Sequence, residues 1–112
     1  MIEIYDFGKI VIDGKTYTKD VIIFPDRIKD DWWRKEGHRL SKDDIEEVIR
    51  EKPEVLVVGT GYYDRMIVPK ETRDYIESHD IKLKVAKTGE ARKFFNELSG
   101  KKKVVAALHL TC

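Results

Sequence analysis

Cysteine is almost missing from this chain: Cys112 is the only one in 112 residues. A lone thiol excludes an internal disulfide and fits a reducing compartment. Long apolar runs are missing too. The longest, "VVAALHL", falls far short of the roughly 20 residues needed to span a bilayer. The opening "MIEIYDFGKI" carries an acid and a glycine early, unlike a signal or transit peptide. These absences lead to the expectation of a cytoplasmic protein without a membrane partner. An excess of one charge is also lacking, since 22 basic and 21 acidic residues leave a formal charge of +1. That balance argues against a dedicated nucleic-acid binder, and the lysines at 101–103 read as solvated cations favouring the negative end of a helix.

Several chemistries lack their residues. The histidines His38, His79 and His109 fall in three different segments, and no Cys-x-x-Cys or His-x-x-x-His spacing exists, so no metal site is expected. "GTGYYD" at Gly59 to Asp64 follows an apolar strand, but Asp64 stands where a dinucleotide fingerprint needs its third glycine. No Gly-Lys-Ser/Thr phosphate loop is present, and no cofactor is called for. "LHLTC" brings a histidine and a cysteine close in sequence. Residues three apart on an extended strand face opposite ways, which separates His109 from Cys112. Catalytic residues are therefore not assigned, and the balance of the sequence leans away from an enzyme.

What the chain has in quantity is charge: 38% of residues, against about 25% in a typical domain. Interleaved signs at this density suit a surface laced with ion pairs and a thermophile source. The length fits one domain able to bury roughly two-thirds of its unfolded surface. Asp13-Gly14, between two β-rich runs, predicts a tight turn. Ile4 to Ile12 and Thr16 to Ile23 are expected to pair across it, giving a β-hairpin over residues 1–24.

Residues 25–40 have no clear period and read as a long Trp-containing loop, a length that is often functional. Residues 41–112 read as an α/β unit. Ser41 with Asp44 forms a Ser-x-x-acid helix start, followed by a stripe of Ile45, Val48 and Ile49 that Pro53 ends. "EVLVVGTG" is a strand buried on both faces, and "RMIV" a further short strand. Pro69 opens a second helix with Thr72, Tyr75 and Ile76 on one side. "IKLKVAKT" alternates as an edge strand should. Thr88 caps a third helix with a stripe of Ala91, Phe94, Phe95 and Leu98. "KVVAALHL" reads as the last and a central strand. The predicted fold is α/β: a mixed, mostly parallel sheet with helices in three layers, plus the hairpin.

Two adjacent tryptophans in "DDWWRKEGHRLS" give the best candidate surface. In an extended segment Trp32 and Trp33 project to opposite sides. One is expected to anchor the loop, and the other to lie in solvent beside Arg27, Arg34 and Arg39. The candidate binding surface is Trp32, Trp33, Arg34, His38 and Arg39, because tryptophan with arginine is enriched at binding hot spots. The alternative is that both indoles pack beneath the loop. A second candidate is a small-molecule crevice at the glycine turn, formed by Gly59, Thr60, Gly61, Tyr62, Arg65, His109 and Cys112, taking a small anionic ligand.

The Trp-containing loop before "GHRLS", the "VVGTG" strand and turn, "VP" before the second helix, "TGEARKFFNEL" and the final "ALHLTC" occur in a familiar order. The chain resembles the archaeal and bacterial Mth-type domain family shared with the human adipogenesis-associated Mth-type domain protein and mitochondrial complex I assembly factor three. The resemblance covers nearly the whole chain. It implies a three-layer α/β fold with a mixed sheet and no established catalytic residues. Through the mitochondrial relative it also implies a protein-binding or assembly role, with a protein partner or self-association. Trp33, Gly59, Gly61 and Cys112 match the family pattern, for which shared folding needs are sufficient reason.

Overall fold

A computed structural model describes residues 1–112. Two β-sheets and three short helices are arranged in layers. The first sheet is antiparallel, in the order β1-β2-β3, from β1 (Ile2–Asp6), β2 (Lys9–Ile12) and β3 (Lys15–Tyr17). Asp13 and Gly14 both take positive φ between β2 and β3, 48° and 83°, as a primed hairpin turn requires.

The predicted hairpin is real, but each of its arms is shorter than expected. Residues 4–12 do not form one strand, because the chain reverses at Phe7-Gly8 and β1 pairs back on β2. The second arm also splits. Beyond Tyr17 the chain leaves the small sheet, and β4 (Val21–Ile23) pairs antiparallel with the last strand. The physical reason is burial: all three residues of β4 are buried, so they belong between layers rather than on an outer ribbon.

The second sheet has five strands in the order β5-β4-β8-β6-β7, adding β5 (Ile28–Lys29), β6 (Val55–Thr60), β7 (Lys82–Ala86) and β8 (Val104–His109). It is mixed. β6 pairs parallel with β7 and β8, while β4 pairs antiparallel with β8 and β5. The central place of β8 and the edge place of β7 match their patterns, continuous in one and alternating with lysine in the other. "RMIV" forms no strand beyond a single bridge between Ile67 and Arg39.

Each face of this sheet supports its own core. Ile22, Leu56, Val58, Val105 and Ala107 point toward α1 (Glu46–Glu51), α2 (Lys70–Glu77) and Trp32. Val21, Val57, Ala106 and Leu108 point the other way, toward α3 (Thr88–Leu98) and the small sheet. Successive strand residues alternate between the two clusters, as the pleat dictates. No helix is long and apolar enough to cross a membrane.

Helix starts follow sequence signals with two adjustments. The Ser41 amide donates to the Asp44 carboxylate at 2.8 Å, the reciprocal half of a capping box, and a 3₁₀ turn over Lys42–Ile45 leads into α1. Pro69 stands just before the second helix, as its cap residue. Thr88 is not a cap. It is fully buried inside the first turn of α3, and its hydroxyl donates to the His109 carbonyl at 2.6 Å.

Gly61 sits in the left-handed half of backbone space, with φ +107°, and a Cβ there would lie 2.5 Å from the Cys112 carbonyl carbon. Both constraints act on backbone, which cannot rotate aside. Gly61→Ala is expected to lose roughly 1–3 kcal/mol from the unfavourable φ alone, with further loss from displacing residues 111–112. Urea denaturation of the variant checks this, and an unchanged midpoint would contradict it.

Candidate functional site

In α/β sheets the usual ligand position lies beyond the carboxyl ends of the parallel strands. Here the chain fills that position with itself. The Tyr62 amide donates to the Thr111 carbonyl at 2.7 Å, and the Arg65 amide to the Cys112 carbonyl at 2.9 Å. The Gly61 amide donates to the Thr88 hydroxyl at 2.9 Å. Gly59, Thr60 and His109 are buried, and the Thr60 hydroxyl is held by the Asp64 carboxylate and the Ala86 carbonyl. Thr60 and His109 are register partners, and Gly61 and Arg65 meet Cys112. The residues expected to line a crevice, Gly59, Thr60, Gly61, Tyr62, Arg65, His109 and Cys112, therefore do converge, but backbone pairing closes the space among them. Only a hollow of about 250 Å³ remains nearby, between Tyr5, Tyr62 and the start of α3. That is below the roughly 300 Å³ at which small-molecule pockets begin.

A polar cluster lies beneath this closed end. Asp20, one residue before β4, accepts from three directions: the Leu110 amide at 2.8 Å, Arg34 Nη2 at 2.8 Å and His109 Nδ1 at 2.7 Å. Arg34 Nη2 also donates to the Gly37 carbonyl at 2.9 Å. Burial opposes ionisation of Asp20, but hydrogen bonds from His109, the Leu110 amide and Arg34 outweigh it and hold the carboxyl below its usual range. Against that carboxylate, His109 Nδ1 is placed to donate, and Arg34 Nη2 lies 3.0 Å from the same nitrogen. The His109 Nε2 is a buried nitrogen without a partner. The Arg34 guanidinium stacks on the Trp32 indole, 4.6 Å from the ring centroid, where the π face compensates part of its charge.

An aspartate fixing a histidine tautomer is half of a nucleophile-activating arrangement. The other half is missing, because no hydroxyl or thiol is bonded to the His109 ring. His38 does reach it: the rings meet edge to face with centroids 5.7 Å apart. The three histidines thus do not all stay apart, although no group of three His, Cys, Asp or Glu side chains is placed to hold a metal. The cluster joins the Trp loop, the start of β4 and the end of β8.

The tryptophans divide as extended geometry requires. Trp32 is 4% exposed and Trp33 76%, and Trp32 Nε1 donates to the Asp44 carbonyl at 3.0 Å. Arg34 was expected in solvent with the outer indole but is 7% exposed. It follows Trp32 inward because Asp20 waits there. Arg27 is also occupied, with Glu47 at 3.0 Å and Glu51 at 3.1 Å. Of the proposed surface, Trp33, His38 and Arg39 stand outside, and Trp32 and Arg34 inside.

One feature was not visible in sequence. Phe7, from the first turn, meets Tyr62 and Tyr63, from the glycine turn, at centroid distances of 5.8 and 5.9 Å. Tyr62 and Tyr63 meet at 5.1 Å, and Tyr5 closes the group 6.0 Å from Tyr62. Phe7, Tyr62 and Tyr63 are all exposed. The only signals were aromatic pairs beside turn glycines, "YDFG" and "GYYD". Nothing in either stretch says that they meet.

Truncating Arg34 removes a buried guanidinium and one donor from the partly buried Asp20 carboxylate. Arg34→Met is expected to destabilise by roughly 3 kcal/mol, read in urea melts. Because the native pKa of Asp20 is depressed, its contribution is complete above the ordinary carboxylate range and lost as pH falls through the lower native value. Wild-type melting temperature should therefore drop more steeply on acidification than that of Asp20→Asn. Parallel slopes would contradict the pairing.

The description "Protein of unknown function (DUF498/DUF598)" fits residues 2–109. Conserved hypothetical protein PH1505 of Pyrococcus horikoshii is 33% identical, with 100% of this chain and 99% of that one superposed at a TM-score of 0.86. A structure described as MT938 is 26% identical over 100% and 98%, with a TM-score of 0.83. A Mth938-like domain protein of Bordetella pertussis shares the fold at 18% identity and a TM-score of 0.68, over 98% and 85% of the two chains. The match across nearly every residue, on the same mixed α/β scaffold, means that this chain belongs to the DUF498/DUF598 family of Mth938-like domains.

Proposed function

We propose that the chain is a non-catalytic protein-binding or assembly module whose contact face is the aromatic end of the molecule. One observation supports this above the others. Three exposed rings from two distant segments, Phe7, Tyr62 and Tyr63, pack ring on ring in solvent. Aromatic side chains are enriched in interface cores, and single large apolar residues on a surface carry no such meaning.

The same end reaches the Trp loop. The Ile67 amide donates to the His38 carbonyl at 2.8 Å, and the Leu40 amide to the Ile67 carbonyl at 2.9 Å. Ile67 itself is exposed. The glycine turn and the end of the 25–40 loop are thus joined through backbone, and the rings stand on a rigid base. Rigid aromatic anchors bind with little loss of side-chain freedom. The buried Asp20 cluster supplies stiffness to this base rather than chemistry.

Affinity capture from the native source tests this reading, with wild type, Phe7→Ser/Tyr63→Ser and Trp33→Ala compared after circular dichroism shows each folded. Sedimentation of the purified chain identifies a second copy as partner. Each anchor ring is expected to contribute about 2 kcal/mol, a roughly thirtyfold loss of affinity when removed. Equal recovery of the same partners by the double variant and the wild type would overturn the aromatic face.

A further inference from the structure

The largest cavity lies at the other end of the parallel strands, where β8 begins. Its volume is about 570 Å³, within the range of roughly 300–1,000 Å³ typical of small-molecule sites. It opens between the small sheet, the turn joining β4 to β5 and the end of α3. Ile12, Ile23, Phe95 and Val104 form its apolar floor, each of them buried, while the Phe24 ring beside them lies under the Arg27 guanidinium, 3.9 Å from its centroid. The aromatic face plays no part in it.

Charge at the mouth selects the ligand. Arg27, Lys102 and Lys103 line the cavity, with Asp13 and Asp26. Most of these are already engaged. Asp13 holds the amine of Met1 at 2.6 Å, and Arg27 is paired with Asp26 at 2.8 Å as well as with Glu47 and Glu51. Lys103 Nζ donates to the Glu51 carbonyl at 2.5 Å and lies 3.5 Å from its carboxylate. Lys102 has no carboxylate within ion-pair distance. Tyr17 also lines the cavity, and its hydroxyl makes no hydrogen bond within the chain.

The geometry points to a site for a small organic anion with an apolar body, such as a medium-chain or aromatic carboxylate or a sulfonate. The body lies on the aliphatic and phenyl floor, and the anionic head meets Lys102. The floor excludes a bare inorganic anion, which would lose its hydration there without replacement. The unpaired ammonium favours an acid over a neutral compound of the same shape.

The fluorescent sulfonate 8-anilinonaphthalene-1-sulfonate serves as the probe on the folded chain, with decanoate and decanol as competitors. Saturable fluorescence is expected, displaced by decanoate more readily than by decanol. Lys102→Gln should weaken decanoate binding about two- to fivefold, as for a partly exposed ion pair, and leave decanol unaffected. Ser99→Trp or Ile28→Trp should fill the cavity and abolish binding, and a melting curve for each shows that the fold survives. Phe7→Ser/Tyr63→Ser should bind the probe as wild type does, which separates this site from the aromatic face. Undiminished binding by both cavity-filling variants, or equal displacement by decanol and decanoate, would overturn the proposal.

Discussion

One end of the molecule is pinned by the Asp20 carboxylate. It is the point where three segments distant in sequence are held by one side chain: the start of β4, the end of β8 through Leu110 and His109, and the Trp loop through Arg34. A partly buried charge of this kind is best tolerated when its oxygens are bonded, and here both are. The arrangement also explains why Arg34 lies inside. A guanidinium that donates to a carboxylate and a carbonyl while lying on an indole meets conditions that lysine could not reproduce. The surface tryptophan next to it is then positioned by its neighbour's burial.

Local patterns carried most of the architecture. The Asp13-Gly14 turn, the Ser41–Asp44 start, the apolar runs of β6 and β8 and the lysine alternation of β7 each state their structure within a few residues. The errors came where pairing is non-local. "KDVIIF" reads equally well as the continuation of a hairpin and as a strand of another sheet, and only the partner at residues 106–108 decides between them. Thr88 misleads for a similar reason. A threonine before a helical stripe looks like a cap, but the carbonyl of His109 and the amide of Gly61 are nearer uses for its hydroxyl.

The site was less legible than the fold. The extended geometry of "DWWR" correctly separated Trp32 from Trp33, because a period of two needs no knowledge of partners. It could not say that Arg34 had a partly buried acid awaiting it, since Asp20 is 14 residues away in a stretch with no unusual feature. The glycine turn was rightly placed at the carboxyl end of a parallel strand, yet whether that end is open depends on the path of residues 110–112. Phe7 and Tyr63 are 56 positions apart in the numbering of the chain, and their contact is a property of the assembled layers alone.

The position of β8 has a consequence for how the molecule comes into being. It is the last strand in sequence, yet it sits between β4 and β6 and is bonded to both. While a ribosome is still making the earlier residues, both of those strands keep a bare inner edge, and the apolar surfaces above and below them have no common floor. The two cores therefore cannot close one after the other as the chain emerges. Closure is held back until residues 104–109 arrive, and long-range pairing of this kind is slow and exposed to aggregation.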